Sequence, residues 1–332
     1  MKKRFTLFLI LFLSLFAFGK VFLDLKDFNS ELEADLKNFN LKEKQNNVTL
    51  YLTGDIMLDR GVEYQIKKNK DWRWPFLKIK KDLEKADILF GNLESQISDK
   101  GHNVGSIYSF RADPKAIEAL KYADFNILSL ANNHSTDYTK KALEDSKERL
   151  ENEGIKTIGA GLNEREAYSP KIIEEKGNKV AFLTYSNFGP EHIRAKKDSA
   201  GIAYINWNNL KRIEEDIKKA KEKSDIVIVS LHAGIEYEKE PSSFQKEFSK
   251  KAIESGADII AGHHPHVIQK DKKYKEGWIF YSLGNFLFDQ SFSKETSKAK
   301  IGKIKIANGK IVSVETETYF INDSFQLEPL VK

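Results

Sequence analysis

Cysteine is absent from all 332 residues. That excludes both a disulfide framework and a lipid-modified cysteine near the N-terminus. No segment repeats at a fixed period, so solenoid and propeller arrays are excluded as well. There is no Gly-rich phosphate loop of the Walker type and no Gly-x-Ser-x-Gly elbow, which disfavours nucleotide hydrolysis and serine catalysis. Charge of one sign is also scarce: the net +5 falls to +2 once residues 1–19, with Lys2, Lys3 and Arg4, are set aside. The remaining lysines are scattered through helix-like stretches and read as solvated faces. Nucleic acid binding needs them clustered, so no nucleic-acid partner is expected.

What is there begins with an export signal. Lys2-Lys3-Arg4 precede the apolar residues 5–18, and Ala17 and Gly19 supply small residues for cleavage after Gly19. The alternative is an uncleaved membrane anchor, because apolar character continues weakly through Val21-Phe22-Leu23 and a full span needs about 20 residues. Either outcome puts the bulk of the chain outside the cytoplasm, membrane-anchored or secreted. Residues 20–47 alternate charges with sparse Leu and Phe and read as a charged spacer. The rest, residues 48–332, reads as one folded domain, since 40% of the chain is hydrophobic and it carries 22 Phe and 12 Tyr.

From Val48 onward, short runs of Val, Ile, Leu and Phe alternate with helix-like segments, the pattern of an α/β protein. The runs are Val48–Thr53, Ile88–Phe90, Ile127–Leu130, Val180–Tyr185, Ile226–Leu231, Asp258–Ala261 and Trp278–Ser282. Helices are expected after Asp113-Pro114, over residues 139–154 and over residues 241–256, where caps and terminating glycines mark the ends. Asn308-Gly309 predicts a two-residue hairpin turn and with it a more antiparallel part of the sheet system.

The turns that follow these runs carry the chemistry. Six of them read "GDIMLDRG", "GNLES", "ANNHSTDY", "HAGIEY", "GHHPH" and "LGNFLFD". Ligands of α/β sheets bind beyond the carboxyl ends of the strands, so the six turns are expected to share one rim. Asp55, Glu94, Asn133, His232, His264 and His266 then form a carboxylate, amide and imidazole set suited to a divalent metal such as Mn, Fe or Zn. One bridging carboxylate would hold two ions about 3.5–4 Å apart. His264-Pro265-His266 reads as an extended segment that sends its rings in different directions, and His263 stands evenly between ligand and supporting group. Arg60, Glu236, Tyr237 and Asp289 are expected on the rim, touching substrate or orienting the ligands from behind. His102 and His192 read as surface residues, Asn285 as a turn residue, and the Phe and Tyr around 278–288 as core.

The same stretches, "LTGDIMLDRGV", "ADILFGNLES", "FNILSLANNHSTDY", "GAGLNEREA", "LHAGIEYEKEP", "SGADIIAGHHPHVIQ" and "IFYSLGNFLFDQ", closely resemble the CapA family of capsule (poly-γ-glutamate) biosynthesis proteins over roughly residues 48–290. The resemblance implies a metallophosphatase-like (calcineurin-like) fold, a four-layer αββα sandwich, on an exported protein. It implies an anionic envelope polymer such as poly-γ-glutamate as partner, with capsule synthase subunits as possible further partners. Asp55 resembles that superfamily's first metal aspartate, Glu94 stands where its bridging Asp usually lies, and Asn133-His134 resemble its Asn-His pair of amide ligand and proton donor. His232 resembles its lone histidine ligand, and His264 with His266 its final His-x-His. Two departures stand out. Met57 occupies the histidine position of the Asp-x-His motif, and Glu94 moves a carboxylate by one methylene. A thioether is a poor ligand for hard ions, so one or two ions are expected. A metal-dependent hydrolase or transferase is weighed against a non-catalytic binding or anchoring component and a metal-dependent phosphoesterase.

Overall fold

The computed structural model describes residues 46–189 and 191–330. The export signal or anchor and all but the last two residues of the charged spacer lie outside the described residues. Two sheets form the centre of the described residues. In chain order their strands are β1 (Asn47–Ile56), β2 (Ile88–Leu93), β3 (Ile127–Ser129), β4 (Lys156–Ile158), β5 (Lys171–Glu175), β6 (Asn178–Ser186) and β7 (Ile226–His232). There follow β8 (Ile259–His263), β9 (Lys272–Tyr274), β10 (Gly277–Phe280), β11 (Asn285–Leu287), β12 (Lys298–Ala307), β13 (Lys310–Ile321) and β14 (Leu327–Pro329). The first sheet runs β14-β13-β12-β1-β2-β3-β4, with β11 also pairing β1, and the second runs β9-β10-β8-β7-β6-β5.

The central pairs are parallel, from β1 through β4 in one sheet and across β6, β7, β8 and β10 in the other. Parallel strands must be covered on both faces, which is why these runs are apolar almost throughout. Alternate side chains point to opposite faces. Leu50, Leu52, Ile88 and Phe90 from the first sheet meet Val180, Phe182, Ile226 and Ile228 from the second in one buried cluster. Phe90 stacks on Phe182 across the gap with ring centroids 5.6 Å apart.

The outer faces carry helices. α1 (Arg60–Asn69), α2 (Ile117–Tyr122) and α3 (Thr139–Asn152) cover the first sheet, and α4 (Arg212–Lys221) and α5 (Ser243–Glu254) the second. Val62, Ile66, Leu120 and Leu143 pack with Tyr51, Leu89 and Leu128 on one side. Ile213, Ile217 and Phe248 pack with Val227, Val229 and Ile260 on the other. Helix, sheet, sheet, helix: the αββα sandwich is present. The helix over Ser243–Glu254 starts at a capping box in which Ser242 Oγ accepts from Gln245 N (3.3 Å) and Gln245 Oε1 accepts from Ser242 N (2.9 Å). Asn308 and Gly309, at φ 50° and 72°, turn β12 into β13 as the two-residue hairpin expected, and that hairpin extends the first sheet. Among the described residues no helix is long and apolar enough to cross a membrane.

Candidate metal centre

The carboxyl ends of β1, β2, β7 and β8 meet where the two sheets open. Asp55 lies between Asn92 on β2 and Asn285 on β11, and register shifts on both sides of it mark bulges that re-aim its side chain. A close backbone approach makes this possible: a Cβ on Gly54 would stand 1.9 Å from the Gly284 carbonyl oxygen. Asp55 Oδ1 accepts from Asn92 Nδ2 (2.8 Å) and Oδ2 from the His264 backbone N–H (3.0 Å). Burial would raise the Asp55 carboxyl, but the His263 ring 3.3 Å away outweighs burial and keeps it an anion.

Glu94 follows β2 and is pinned by its backbone N–H to the Ile56 carbonyl (2.7 Å). Both of its carboxylate oxygens are buried and lack a hydrogen-bond partner. Around Oε1 stand three imidazole nitrogens: His232 Nε2 and His266 Nε2 at 3.8 Å and His134 Nε2 at 3.9 Å. Burial, and then the charges of Asp55, Glu236 and Asp137, push the Glu94 carboxyl well above its ordinary range. The rings are shifted the other way. Burial and then His264 hold His232 far below the ordinary imidazole value, burial and then His266 bring His264 down to about 3, and burial lowers His266. Neutral rings keep a lone pair free, the state in which imidazole binds a cation.

Donor atoms therefore gather in two overlapping groups, Asp55, Glu94, His232 and Glu94, His264, His266, each with its atoms within 4.8 Å of one another. Glu94 belongs to both. His266 Nδ1 donates to Asn285 Oδ1 (2.9 Å), which turns Nε2 toward Glu94. His264 Nδ1 is 3.2 Å from His232 Nε2, and Asn133 Oδ1 lies 2.7 Å from that same nitrogen. Asn133 thus enters the centre through the His232 ring. His134 is held by Asp137, whose Oδ2 is 2.7 Å from Nδ1 and also accepts from the Phe110 N–H (2.9 Å).

His264-Pro265-His266 is not the extended segment expected. Both histidines have positive φ, 96° and 57°, so the chain turns sharply at the end of β8. Positive φ costs a non-glycine residue about 1–3 kcal/mol and persists where the surroundings enforce it. Here they do: the His264 N–H is bonded to Asp55, Phe188 stacks on the His264 ring at 3.9 Å, and the Tyr237 N–H holds the Pro265 carbonyl (2.8 Å). His263 points elsewhere. It shares a face of β8 with Ile259 and Ala261, lies against Phe90 between the sheets, and touches the centre only behind Asp55. Met57 is buried in the helix-side core, where its sulfur accepts from the Asp59 N–H (3.1 Å), and so contributes no donor.

Arg60, Glu236, Tyr237 and Asp289 gather outside the donors, around a cleft of about 200 Å³ into which His134 and His266 also project. Asp289 binds Arg60 through Nε (3.0 Å) and Nη2 and the Gly61 N–H (3.0 Å). Burial and then Glu236 push the Tyr237 hydroxyl up to about 12, so it stays protonated. Asn92, Asn132 and Asp137 do not stand out in the sequence, and Asn285, expected as a turn residue, holds His266. Asn92 bridges Asp55 and, at 3.3 Å, His232 Nδ1, and Asn132 in turn bonds Asn92 (3.2 Å). The signals were present: Asp137 follows His134 by three residues, and Asn92 is two residues before Glu94 on the strand beside Asp55.

An αββα sandwich that presents carboxylates and imidazoles where its two sheets open defines the class: an α/β protein with a buried cluster of carboxylates and imidazoles at the carboxyl ends of its strands. Residues 49–290 match the sequence profile of the bacterial capsule synthesis protein family PGA_cap, and the chain belongs to that family. It is 33% identical over 267 residues to the capsule biosynthesis protein CapA of Bacillus anthracis and 30% identical over 252 residues to the PGA biosynthesis protein CapA of Bacillus subtilis strain 168. These matches cover 79% and 75% of this chain but only 65% of each relative, just under two thirds. Among solved structures, the Haemophilus influenzae NAD nucleotidase NadN aligns at TM-score 0.47 and 10% identity, covering 86% of this chain and 60% of that one. The Thermus thermophilus protein TT1561 aligns at TM-score 0.42 and 11% identity, covering 81% and 97%.

Proposed function

We propose that the chain is an exported, metal-dependent hydrolase or transferase of capsule biosynthesis, acting on an anionic envelope polymer such as poly-γ-glutamate alongside capsule synthase subunits. Residues 48–332 are the working domain in this reading, held at the membrane or released from it according to the fate of the N-terminus. The observation that carries it is Glu94: two buried carboxylate oxygens with no donor, ringed by three imidazole nitrogens. A buried carboxylate is stable when a positive charge meets it, and mixed O and N donors suit Mn, Fe or Zn. Asp55, Glu94, Asn133, His232, His264 and His266 would hold one or two such ions. A divalent ion bound there supplies Lewis acidity and makes water nucleophilic near neutral pH.

The chain's own groups do the rest. Asp137 holds the Nδ1 side of His134, leaving Nε2 to face the cleft and deliver a proton. In hydrolysis of a γ-glutamyl amide, water oxygen bonds to the carbonyl carbon and the C–N bond breaks with its electron pair on nitrogen. That nitrogen takes a proton from His134 Nε2, and the proton lost by the water restores the imidazole. In transfer, an amine or hydroxyl of a second molecule replaces water with the same proton balance. Asn285 and Asn92 keep His266 and His232 oriented throughout.

The test is cleavage of poly-γ-glutamate by purified protein loaded with Mn²⁺, followed by gel filtration of the products. Shortened polymer from the wild type, and on the order of 10²-fold less from His134→Ala, is the expected result. Intact polymer with the wild type, together with full capsule retention by His134→Ala cells, would instead assign the binding or anchoring role.

A further inference from the structure

The cleft beside His134 and His266 contains a positive group placed with unusual care. Arg60 has a positive φ of 51° at the start of its helix, and Asp59 Oδ1 accepts from its N–H (2.7 Å). Asp289 engages the guanidinium along the Nε–Nη2 edge, and the Phe110 ring lies 4.9 Å beneath its carbon. One long edge and one face of the group are therefore fixed. An arginine has five N–H donors, and a carboxylate takes two of them side by side. Nη1 bonds no acceptor among the described residues, so the end of the fork, Nη1 with the second hydrogen of Nη2, remains open. The side chain is 37% exposed and lines the cleft.

The rest of the cleft restricts what that edge can meet. Its walls are largely aromatic, lined by Tyr108, Phe110, Phe288 and Phe292, with Phe110 against Arg60. Such walls suit methylene groups and leave Arg60 as the cation on that side. Glu236 lines the cleft too, next in sequence to Tyr237, whose ring lies 6.2 Å from the His266 ring of the donor centre. The cleft is thus polarised, with an anion-accepting edge at Arg60 and the reacting centre at His134 and His266.

We infer that Arg60, fixed by Asp289 and Phe110, is the specificity residue that reads a free carboxylate on the substrate, separated from the scissile group by a short aliphatic stem. Resting on the polymer reading above, this makes the α-carboxylate of a γ-linked glutamyl unit the recognised group. Its two side-chain methylenes lie along the aromatic walls and its γ-carbonyl reaches the centre.

The experiment is equilibrium binding by calorimetry, with the full chain and two synthetic γ-glutamyl oligomers, one with free α-carboxylates and one α-amidated throughout. The wild type is expected to bind the acid oligomer at least tenfold more tightly than the amide. In Arg60→Gln the two affinities converge on the amide's value, and Arg60→Lys, which keeps charge but not the fork, recovers only part of the difference. Asp289→Asn also narrows the gap, because the guanidinium loses its anchor. Equal binding of the two oligomers by the wild type, binding of neither, or a parallel loss of both in Arg60→Gln overturns the inference. The wild-type comparison requires no variant to fold. Binding with the expected discrimination but no cleavage would refute the hydrolase reading while leaving the role of Arg60 standing.

Discussion

A carboxylate buried without a donor destabilises a fold until something positive faces it, and Glu94 is so placed. Its carboxyl is raised above the ordinary 4.5, so the folded state favours the protonated form. In metal-free protein the stability associated with that proton is complete below pH 4.5 and is lost as pH rises through the folded value. Glu94→Gln removes the penalty. At pH 8, urea unfolding of the chelated proteins should show the variant more stable by about 1–3 kcal/mol, with the gap closing toward pH 4.5. A variant less stable than wild type at pH 8 would mean that Glu94 is satisfied without a cation. Asp137 acts through another residue. Asp137→Asn should reduce polymer turnover on the order of 10²-fold with KM and metal content unchanged, because it disturbs only how His134 is held. A change in metal content would place Asp137 in the donor set instead. At this scale the sequence revealed which residues gather and concealed their orientation: Asp55, Glu94, His232, His264 and His266 were legible as one cluster, whereas the supporting Asn92, Asn132 and Asn285 looked like ordinary strand-end amides. Only register reveals that Asn92 and Asn285 flank Asp55.

Among the elements, strands were legible wherever apolar runs were long. Val180–Tyr185 and Ile226–Leu231 became β6 and β7 with little adjustment, since strands covered on both faces need continuous apolar sequence. The helices over Thr139–Asn152 and Ser243–Glu254 were legible from their ends. The turn through His264 and His266 was not, because its positive φ values come from Asp55, Phe188 and Tyr237, all distant in sequence. Nor was β11, three residues whose pairing with β1 depends on the close approach at Gly54. That approach can be tested. Gly54→Ala puts a methyl group against the Gly284 carbonyl and should destabilise the fold by about 1–3 kcal/mol while lowering bound metal, since the bulges at Asp55 lie beside it. Thermal unfolding and metal analysis of the same sample check both halves. Wild-type values in each would show that β1 and β11 have room to spare.

Over the whole molecule, the centre exists because two sheets end at the same place. Asp55, Glu94 and Asn133 come from the first sheet and the turns after it, His232, His264 and His266 from the second. Separation of the sheets would dismantle both donor groups together. Convergence of the strand-end turns followed from the general behaviour of α/β sheets. The division of the donors between two sheets was not legible, because composition cannot say which strands share a sheet. Met57 shows the same limit: its residue type predicted a weak ligand, whereas its place in the helix-side core removes it from the centre altogether. The most direct measurement is the metal content of purified protein equilibrated with Mn²⁺ and desalted, wild type beside Glu94→Gln, read by elemental mass spectrometry. The account predicts one or two ions per wild-type chain and none held by the variant; a metal-free wild type, or equal content in both, would contradict it.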